Sequence, residues 1–453
     1  MEIDTLFAIS PIDGRYRNIT QEISEYFSEY ALIKGRVFVE VKWLIKLIKN
    51  KEILKENIDR NDIEKINEIY EKFDLESAKR IKQIERKTNH DVKAVEYYIR
   101  EKLKEFNLDK YLYLVHFGCT SEDISNLAYG KSLIEFVNNI LIKNIKELIK
   151  EVEKNALENK MLPMLSHTHG QPATPTTVGK EFAIFVYRWK NVLEKIEGIN
   201  LKGKFSSAVG NFNAFYIAYP NIDWFEFNKS FVEEIGLEFN PLTTQIESHD
   251  EICTLFSYIK LFNNILNDYN SDMWTYISKN YFKQITIETE VGSSVMPHKV
   301  NPINHENSMA NLKIANSILD SFINNLQVSR MQRDLSDSSM LRNIGVALAH
   351  TIIAIKQSII GTDKMIPNIN VLEQELTNNP EILTEAVQTI LRKNKYEDAY
   401  EKLKEFSRGK RVTMESLQEF IKKLDIEDED KNRLLNLTPE KYLGIADKLV
   451  SYM

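Results

Sequence analysis

The chain has 453 residues, of which 43% are hydrophobic and 28% charged, and its formal net charge is −7. That length exceeds one compact core and matches about three domains of roughly 150 residues each. The acidic balance argues against a nucleic-acid-binding surface, which is usually basic. The N-terminus does not resemble a secretory signal, and charges interrupt the apolar runs, so we expect a cytoplasmic protein with no membrane span.

Five stretches repeat apolar residues at three- and four-residue steps, the spacing of amphipathic helices. They cover residues 131–160, 178–199, 252–277, 304–326 and 342–360, with no strands predicted between them. Shorter helical segments precede and follow these stretches. The pattern predicts an all-α fold with three domains, 1–115, 116–362 and 363–453, the middle one a bundle of long helices.

The third long stretch carries more apolar surface than one neighbouring helix can cover. Its apolar residues are Leu255, Phe256, Ile259, Phe262, Ile265, Leu266, Met273 and Trp274. This excess indicates burial between subunits, as in a homotetramer, although an ordinary core within one chain would also use such a stripe.

Function has to be sought in the segments that break the helical pattern. The first is GSSVMPHKVNP at residues 292–302, where glycine, paired serines and two prolines predict a loop. Its backbone N–H groups, hydroxyls and Lys299 suit an anion. A tight linker between helices is the alternative.

The second segment, SHTHGQPATP at residues 166–175, places two histidines two residues apart before a long helix. No HExxH pattern or Cys/His cluster completes a metal site, so an acid/base histidine fits better, and we expect no metal and no cofactor. The third segment, TSED at residues 120–123, opens the first long helix. A capping box explains Thr120 and Asp123, but a cap does not exclude contact with a ligand.

The GSSxMPxKxNP loop resembles the motif shared by the superfamily of fumarases, aspartases, argininosuccinate lyases and adenylosuccinate lyases. Further segments resemble the adenylosuccinate lyase branch in order and spacing along essentially the whole chain. They are SPIDGRY at 10–16, TNHD at 88–91, TSED at 120–123, THGQ at 168–171, TQIE at 244–247 and RMQRD at 330–334. His298 suits the same branch, whereas Val300 departs from members with arginine there and suits the longer bacterial type.

The resemblance implies an anti β-elimination that releases fumarate from succinyl-purine nucleotides, with His169 as general acid and Ser293 as general base. His90 and His298 are rival bases, and His167, His249 and His350 have no expected role beyond structure. The matched substrate-binding positions are Arg15, Tyr16, Asn89, His90, Asp91, Thr120, Ser121, Gln245, Ser294, Lys299, Asn301, Asn307, Arg333, Ser338, Ser339 and Arg342. Arginine suits phosphate recognition.

The resemblance also implies a homotetramer in which three subunits contribute to each site, so we expect an inactive monomer. Two alternatives remain at this point. One is a sister lyase of the argininosuccinate lyase or fumarase type, and the other is a non-catalytic helical scaffold. Intact Ser293, His169 and Lys299 count against the scaffold.

Overall fold

The computed structural model describes residues 5–286, 295–296, 298–409 and 411–453. It is mainly helical, which confirms the predicted fold class. The helices of the first third are α1 (Arg17–Thr20), α2 (Ser24–Phe27), α3 (Glu29–Lys49), α4 (Arg60–Glu71), α5 (Leu75–Thr88) and α6 (Asp91–Glu105). Short 3-10 segments cover Thr5–Phe7, Gln21–Ile23, Asp109–Leu114, Pro380–Leu383, Pro439–Lys441 and Val450–Tyr452.

The middle of the chain contains the long helices that the periodicity predicts. They and their shorter neighbours are α7 (Ser121–Phe136), α8 (Ile142–Glu158), α9 (Val178–Glu197), α10 (Asn213–Ala218), α11 (Trp224–Ile235), α12 (Asp250–Ser278), α13 (Ile303–Asn325), α14 (Ser336–Leu341) and α15 (Ile344–Asp363). A π-helical segment, Val137–Leu141, lies between α7 and α8. The last helices are α16 (Ile369–Asn378), α17 (Thr384–Lys393), α18 (Ala399–Ser407), α19 (Met414–Lys422), α20 (Asp428–Leu435) and α21 (Ala446–Leu449).

The described residues include six short strands, and the five that precede residue 342 correct the expectation that no strands separate the long helices. The six strands are β1 (Pro163–Thr168), β2 (Gln171–Thr177), β3 (Lys202–Gly203), β4 (Glu238–Phe239), β5 (Phe282–Gln284) and β6 (Met365–Pro367). The strands pair in twos, β1 with β2 and β5 with β6 antiparallel, and β3 with β4 parallel. The sequence pattern does not predict these strands, because all are short and β2 contains two prolines, which are unusual inside strands.

The described chain divides into two compact units. Unit 1 comprises residues 1–145, 192–264 and 310–354, and unit 2 comprises residues 146–191, 265–309 and 355–453. The division into domains at residues 115 and 362 therefore stays a prediction.

An aromatic cluster forms part of the core of unit 1. The fully buried Trp43 of α3 packs on Phe205 and Phe231, with ring centroids 4.5 and 5.1 Å away. Its indole N–H donates to the carbonyl of Phe117 at 3.0 Å. Gly118 follows with φ +70°, and a Cβ there would lie 2.1 Å from the ring of Phe215. This packing fixes the chain immediately before the TSED turn.

Unit 2 has an apolar core among the C-terminal helices and a polar core among the long ones. The apolar core includes Leu376, Leu391 and Leu417, together with Leu165 of β1. In the polar core, the Asn270 amide of α12 donates to Ser308 of α13, and Ser358 of α15 donates to the Asn270 oxygen, both at 3.0 Å. Buried amides and hydroxyls are thus paired with one another, as burial requires.

One segment, Ser336–Asp363, is long and apolar enough to cross a membrane by length and composition. Lys356 interrupts this segment, as expected of the apolar runs from the sequence. In the structure, 67% of its most apolar window is buried inside the chain, as in the core helix of a globular protein. The same hydropathy serves a core helix and a membrane span, so burial is the observation that separates them.

Candidate active site

Unit 1 contains an open cavity of about 600 Å³ that brings together segments distant in sequence. The predicted residues that line it are Asn89, His90, Asp91, Thr120, Ser121, Gln245, Arg333, Ser338, Ser339 and Arg342. Arg36, Glu85, Val92, Glu122, Ser125 and Leu335 complete the lining. We call this cavity the cradle.

The turn between α5 and α6 presents Asn89, His90 and Asp91 to the cradle. Asn89 ends α5 in the left-handed conformation, with φ 52°, which asparagine tolerates better than most residues. His90 caps α6, and its Nδ1 accepts the Lys93 N–H at 3.2 Å. A neutral His90 therefore carries its proton on Nε2, which leaves that nitrogen as a donor.

Asp91 is the anion shared by two arginines of the cradle. Its Oδ2 accepts from Arg36 Nη1 at 2.8 Å and from Arg342 Nη2 at 2.9 Å. Burial raises the pKa of Asp91, but the guanidinium groups of Arg36 and Arg342 outweigh it and hold the pKa below its ordinary value. Arg342 also donates to Glu29 at 2.7 Å, so its guanidinium group is held by two carboxylates, those of Asp91 and Glu29.

The TSED turn is fixed by a fully buried ion pair. Asp123 accepts the Thr120 N–H at 2.8 Å, as a capping box predicts. It also pairs at 2.8 Å with Lys204 Nζ, and both side chains are 0% exposed. Lys204 donates further to the carbonyls of Ser207 and Gln245, at 2.8 and 2.9 Å. One buried ammonium therefore joins the turn to the segment that carries Gln245.

Arg333 and Glu122 form a second ion pair at the cradle, with Nη1 and Oε2 3.3 Å apart. Glu122 is only 4% exposed, and its Oε2 has no hydrogen-bond partner. Burial raises the pKa of Glu122 above its ordinary value, while the nearby Arg333 lowers it. The cradle thus combines three arginines with carboxylates that pair with them.

The acid/base histidine predicted at position 169 lies on a β-hairpin rather than in an irregular loop. Strands β1 and β2 pair Thr168 with Gln171, so His169 and Gly170 form the two-residue turn. Both have positive φ, 53° and 72°, as a type I′ turn requires. His169 is exposed at the tip of this hairpin in unit 2.

The other predicted residues lie outside the cradle lining. Arg15 is exposed and lies over the ring of Tyr16, 6.0 Å from its centroid, in the turn before α1. Lys299, Asn301 and Asn307 belong to unit 2, where Lys299 is exposed. Ser293 and Ser294 lie outside the described residues.

Sequence reasoning missed Arg36, Glu122 and Ser125. Arg36 is 3% exposed on α3, where most of the other buried residues are apolar. An arginine on such a helix is a weak signal, because a buried guanidinium needs a carboxylate partner. The only sequence signal for Glu122 is its position next to Thr120 and Ser121. Across the described ranges, no group of three or more His, Cys, Asp or Glu side chains could hold a metal ion.

Two family models cover most of the chain. A lyase model matches residues 14–316, and a model for the adenylosuccinate lyase C-terminal region matches residues 329–443. Among solved structures, a fumarate lyase from a Mesorhizobium species superposes with a TM-score of 0.76 at 18% identity, covering 95% of this chain and 96% of that one. The 3-carboxy-cis,cis-muconate lactonizing enzyme from Pseudomonas putida gives 0.74 at 17% identity, covering 95% of each chain. The family model thus places the chain among the lyases, and the two solved structures share its fold.

Curated relatives narrow the family further. The chain is 47% identical to the adenylosuccinate lyase of Haemophilus influenzae over 454 residues, and 45% identical to that of Escherichia coli over 452 residues. Each alignment covers 99% of this chain and 99% of the relative. The chain belongs to the adenylosuccinate lyase family.

Proposed function

We infer that the chain is a carbon–nitrogen lyase that eliminates fumarate from adenylosuccinate, leaving AMP. On the same grounds it acts on succinylaminoimidazole-carboxamide ribotide, leaving the free carboxamide ribotide, both in purine biosynthesis. The observation that carries this inference is the cradle, where segments from distant parts of the chain present arginines, hydroxyls and amides at one cavity. A nucleotide phosphate and two carboxylates need such a set of donors.

In the reaction we propose, removal of a proton beside a carboxylate creates a doubly negative intermediate. Lys299 and Asn301 supply charge and N–H donors to that carboxylate, with the backbone at Ser293 and Ser294. His169 protonates the leaving nitrogen as general acid, and Ser293 accepts the carbon-bound proton as general base. The exposed imidazole at a rigid two-residue turn supports this role for His169, because it leaves the ring free to meet a substrate.

The remaining predicted positions complete the proposed substrate contacts. Arg15, Tyr16, Arg333, Ser338, Ser339 and Arg342 bind the phosphate, and Asn89, His90 and Asp91 lie near the ribose or base. Thr120, Ser121, Gln245, Ser294 and Asn307 complete the pocket. The reaction needs no metal or cofactor, since side chains supply both proton transfers.

We also propose a cytoplasmic homotetramer whose sites combine residues of three subunits, without nucleic-acid or membrane partners. Large apolar side chains on the long helices remain solvent-accessible in the single chain. Leu261 and Trp274 of α12 are each 41% exposed, Ile314 of α13 is 47% exposed and Ile360 of α15 is 41% exposed. Such side chains on a helical bundle favour burial against further copies of the same chain.

The test is turnover by purified protein of adenylosuccinate to AMP and fumarate, without added metal. Ser293→Ala and His169→Ala should abolish it, while the matched control His167→Ala, two residues away on β1, retains most of it. Argininosuccinate and malate serve as competing substrates. A folded wild-type protein that turns over only these would replace the proposal with a sister lyase, and one that turns over nothing would favour the scaffold.

A further inference from the structure

A buried histidine lies next to the cradle without lining it. His249 is 2% exposed, and its Nε2 lies 3.5 Å from Asp337 Oδ2 while its Nδ1 lies 3.9 Å from Glu247 Oε2. Both carboxylates are at most 5% exposed. A third buried carboxylate, that of Glu122, is close enough to raise the pKa of His249. The imidazole is thus surrounded by three acids.

Each of the three acids belongs to a segment that presents residues to the cradle. Glu122 directly follows Thr120 and Ser121 at the start of α7. Glu247 lies two residues after Gln245. Asp337 accepts the N–H of Ser338 at 2.7 Å, in the helix that precedes Arg342. His249 is therefore a common neighbour of three segments that are distant from one another in the sequence.

The neighbouring carboxylates favour the protonated form of the His249 ring. Arg333 pairs with Glu122 on the cradle side, but Asp337 and Glu247 face the histidine ring. Burial lowers the pKa of His249, whereas the bond to Asp337 and the charges of Glu247 and Glu122 raise it, and the result lies above the ordinary value. A neutral ring would remove a positive charge next to two buried carboxylates that otherwise accept from neutral donors, such as the Asn240 amide and the Ser338 N–H.

The main chain at His249 is held by hydrogen bonds of its own. Its φ is 62°, a left-handed conformation that costs energy for a non-glycine residue. Its N–H donates to Glu247 Oε2 at 2.7 Å, and its carbonyl accepts the N–H of Cys253 at 2.9 Å in the first turn of α12. These hydrogen bonds fix the main chain where the Gln245 segment enters the long helix, and the contact with Asp337 orients the ring.

We propose that His249 is a positioning residue of the cradle, whose imidazolium holds the segments of Ser121, Gln245 and Ser338 in the arrangement that binds the nucleotide. This rests on the proposed lyase function. His249 does not touch the substrate, so its loss weakens substrate binding and leaves the chemical step largely intact.

The sign of the pH effect follows from the raised pKa. The imidazolium, and the stability it contributes, is fully present below the ordinary histidine pKa of about 6.5 and is lost as the pH rises through the folded-state pKa. The groups that face the ring are Asp337 of α14, Glu122 of α7 and Glu247 of its own segment, with Arg333 beyond Glu122. The KM for adenylosuccinate should therefore rise on the alkaline side.

The decisive variant is His249→Asn, because asparagine tolerates positive φ and carries no charge. We expect KM to rise about tenfold, with kcat within about threefold of wild type. The matched control is His350→Asn. His350 is also buried in unit 1, but its Nδ1 contacts the neutral amide oxygen of Asn311 at 2.7 Å, so both parameters should stay within about threefold of wild type.

A second variant, Asp337→Asn, tests the charge rather than the shape. Its Oδ1 can still accept from Ser338, but an amide N–H₂ opposite Nε2 favours the neutral ring. We expect the same rise in KM, no further loss in the double variant, and no alkaline rise in KM for either single variant. If His249→Asn does not fold, the KM of Asp337→Asn and the pH dependence of the wild-type KM test the proposal instead.

Two results would overturn the proposal: a wild-type KM in both variants, or a loss confined to kcat. Absence of turnover by the folded wild-type protein would instead contradict the proposed function. The two failures are therefore distinguishable in one series of measurements.

Discussion

The cradle in unit 1 and the His169 hairpin in unit 2 differ in how the chain holds their functional side chains. In the cradle, Asp91 and Glu122 are paired with arginines of the same chain, and the buried Lys204 ties the backbone segments together. His169 instead is exposed on a two-residue turn, positioned by backbone conformation. Ion pairs within the chain hold the proposed binding groups, whereas the proposed acid is exposed.

This difference suggests a division of labour between the two regions. Preformed ion pairs orient the arginines before the substrate arrives, which lowers the entropic cost of binding. An exposed imidazole near a rigid turn has no fixed partner to displace, so it can reach a substrate held by other residues. If this view is right, substitutions in the two regions should affect different kinetic constants.

The largest expected effect separates those constants. We predict that His169→Ala lowers kcat by about a thousandfold with KM within about threefold, because it removes only the proton donor. Arg333→Ala should raise KM by about tenfold or more, since it removes a charged phosphate ligand. Steady-state kinetics with adenylosuccinate measures both. A His169→Ala variant that changes KM alone would make His169 a binding residue.

Mixing the two impaired variants sharpens the comparison, with activity measured at adenylosuccinate concentrations well below the wild-type KM. If sites combine subunits, a reassociated equal mixture of His169→Ala and Arg333→Ala should contain wild-type copies of both residues at about a quarter of its sites. Activity should recover to about that fraction of the wild-type value. The control is each variant dissociated and reassociated alone. No recovery in a fully reassembled mixture would mean that His169 and Arg333 serve one site from one chain.

The sequence alone was sufficient for the long helices and for most of the cradle. Helical periodicity identified α12 and α13 closely, because amphipathic spacing sustained over this length is typical of a long helix and of little else. Motif resemblance identified Asp91 and Arg342, although nothing in their spacing reveals that the two side chains are 2.9 Å apart. This proximity results from tertiary packing. The local sequence of each helix does not reveal how the helices pack against one another.

The misses have physical reasons as well. The β1–β2 hairpin was unpredicted because His-Gly is an unusual turn pair and prolines interrupt the second strand. The role of Arg36 follows only from its partner Asp91, because α3 carries several charged residues and the sequence does not show which of them are buried. His249 was assigned no role, since two of its three carboxylate neighbours come from distant parts of the chain.

A smaller effect tests the support beneath the cradle. We predict that Lys204→Met lowers the free energy of unfolding by about 3–5 kcal/mol, because it leaves Asp123 buried and unpaired. The matched control is Lys202→Met, two residues earlier. Lys202 pairs with Glu251 at 3.1 Å, but both side chains are about a third exposed, and the loss should stay below about 1 kcal/mol. Denaturant unfolding compares them. Equal losses would show that the buried pair adds nothing to the support of the TSED turn.

The smallest effect concerns the turn that presents His169. Alanine at Gly170 meets no atom within 4 Å, so its cost comes only from φ 72°, about 1 kcal/mol. Gly236, which ends α11 in unit 1 with φ 96°, also has open space around a Cβ and provides the matched control.

Both Gly→Ala variants impose the same backbone penalty, but only the one at position 170 should reduce kcat, by about threefold to tenfold. At the hairpin tip, relief of the backbone strain shifts His169. At the end of α11, the same relief shifts no residue of the proposed site. Measured stabilities should therefore be similar while the turnover numbers differ. Equal turnover numbers would mean that His169 does not depend on the type I′ turn, and that the hairpin serves the fold rather than the reaction.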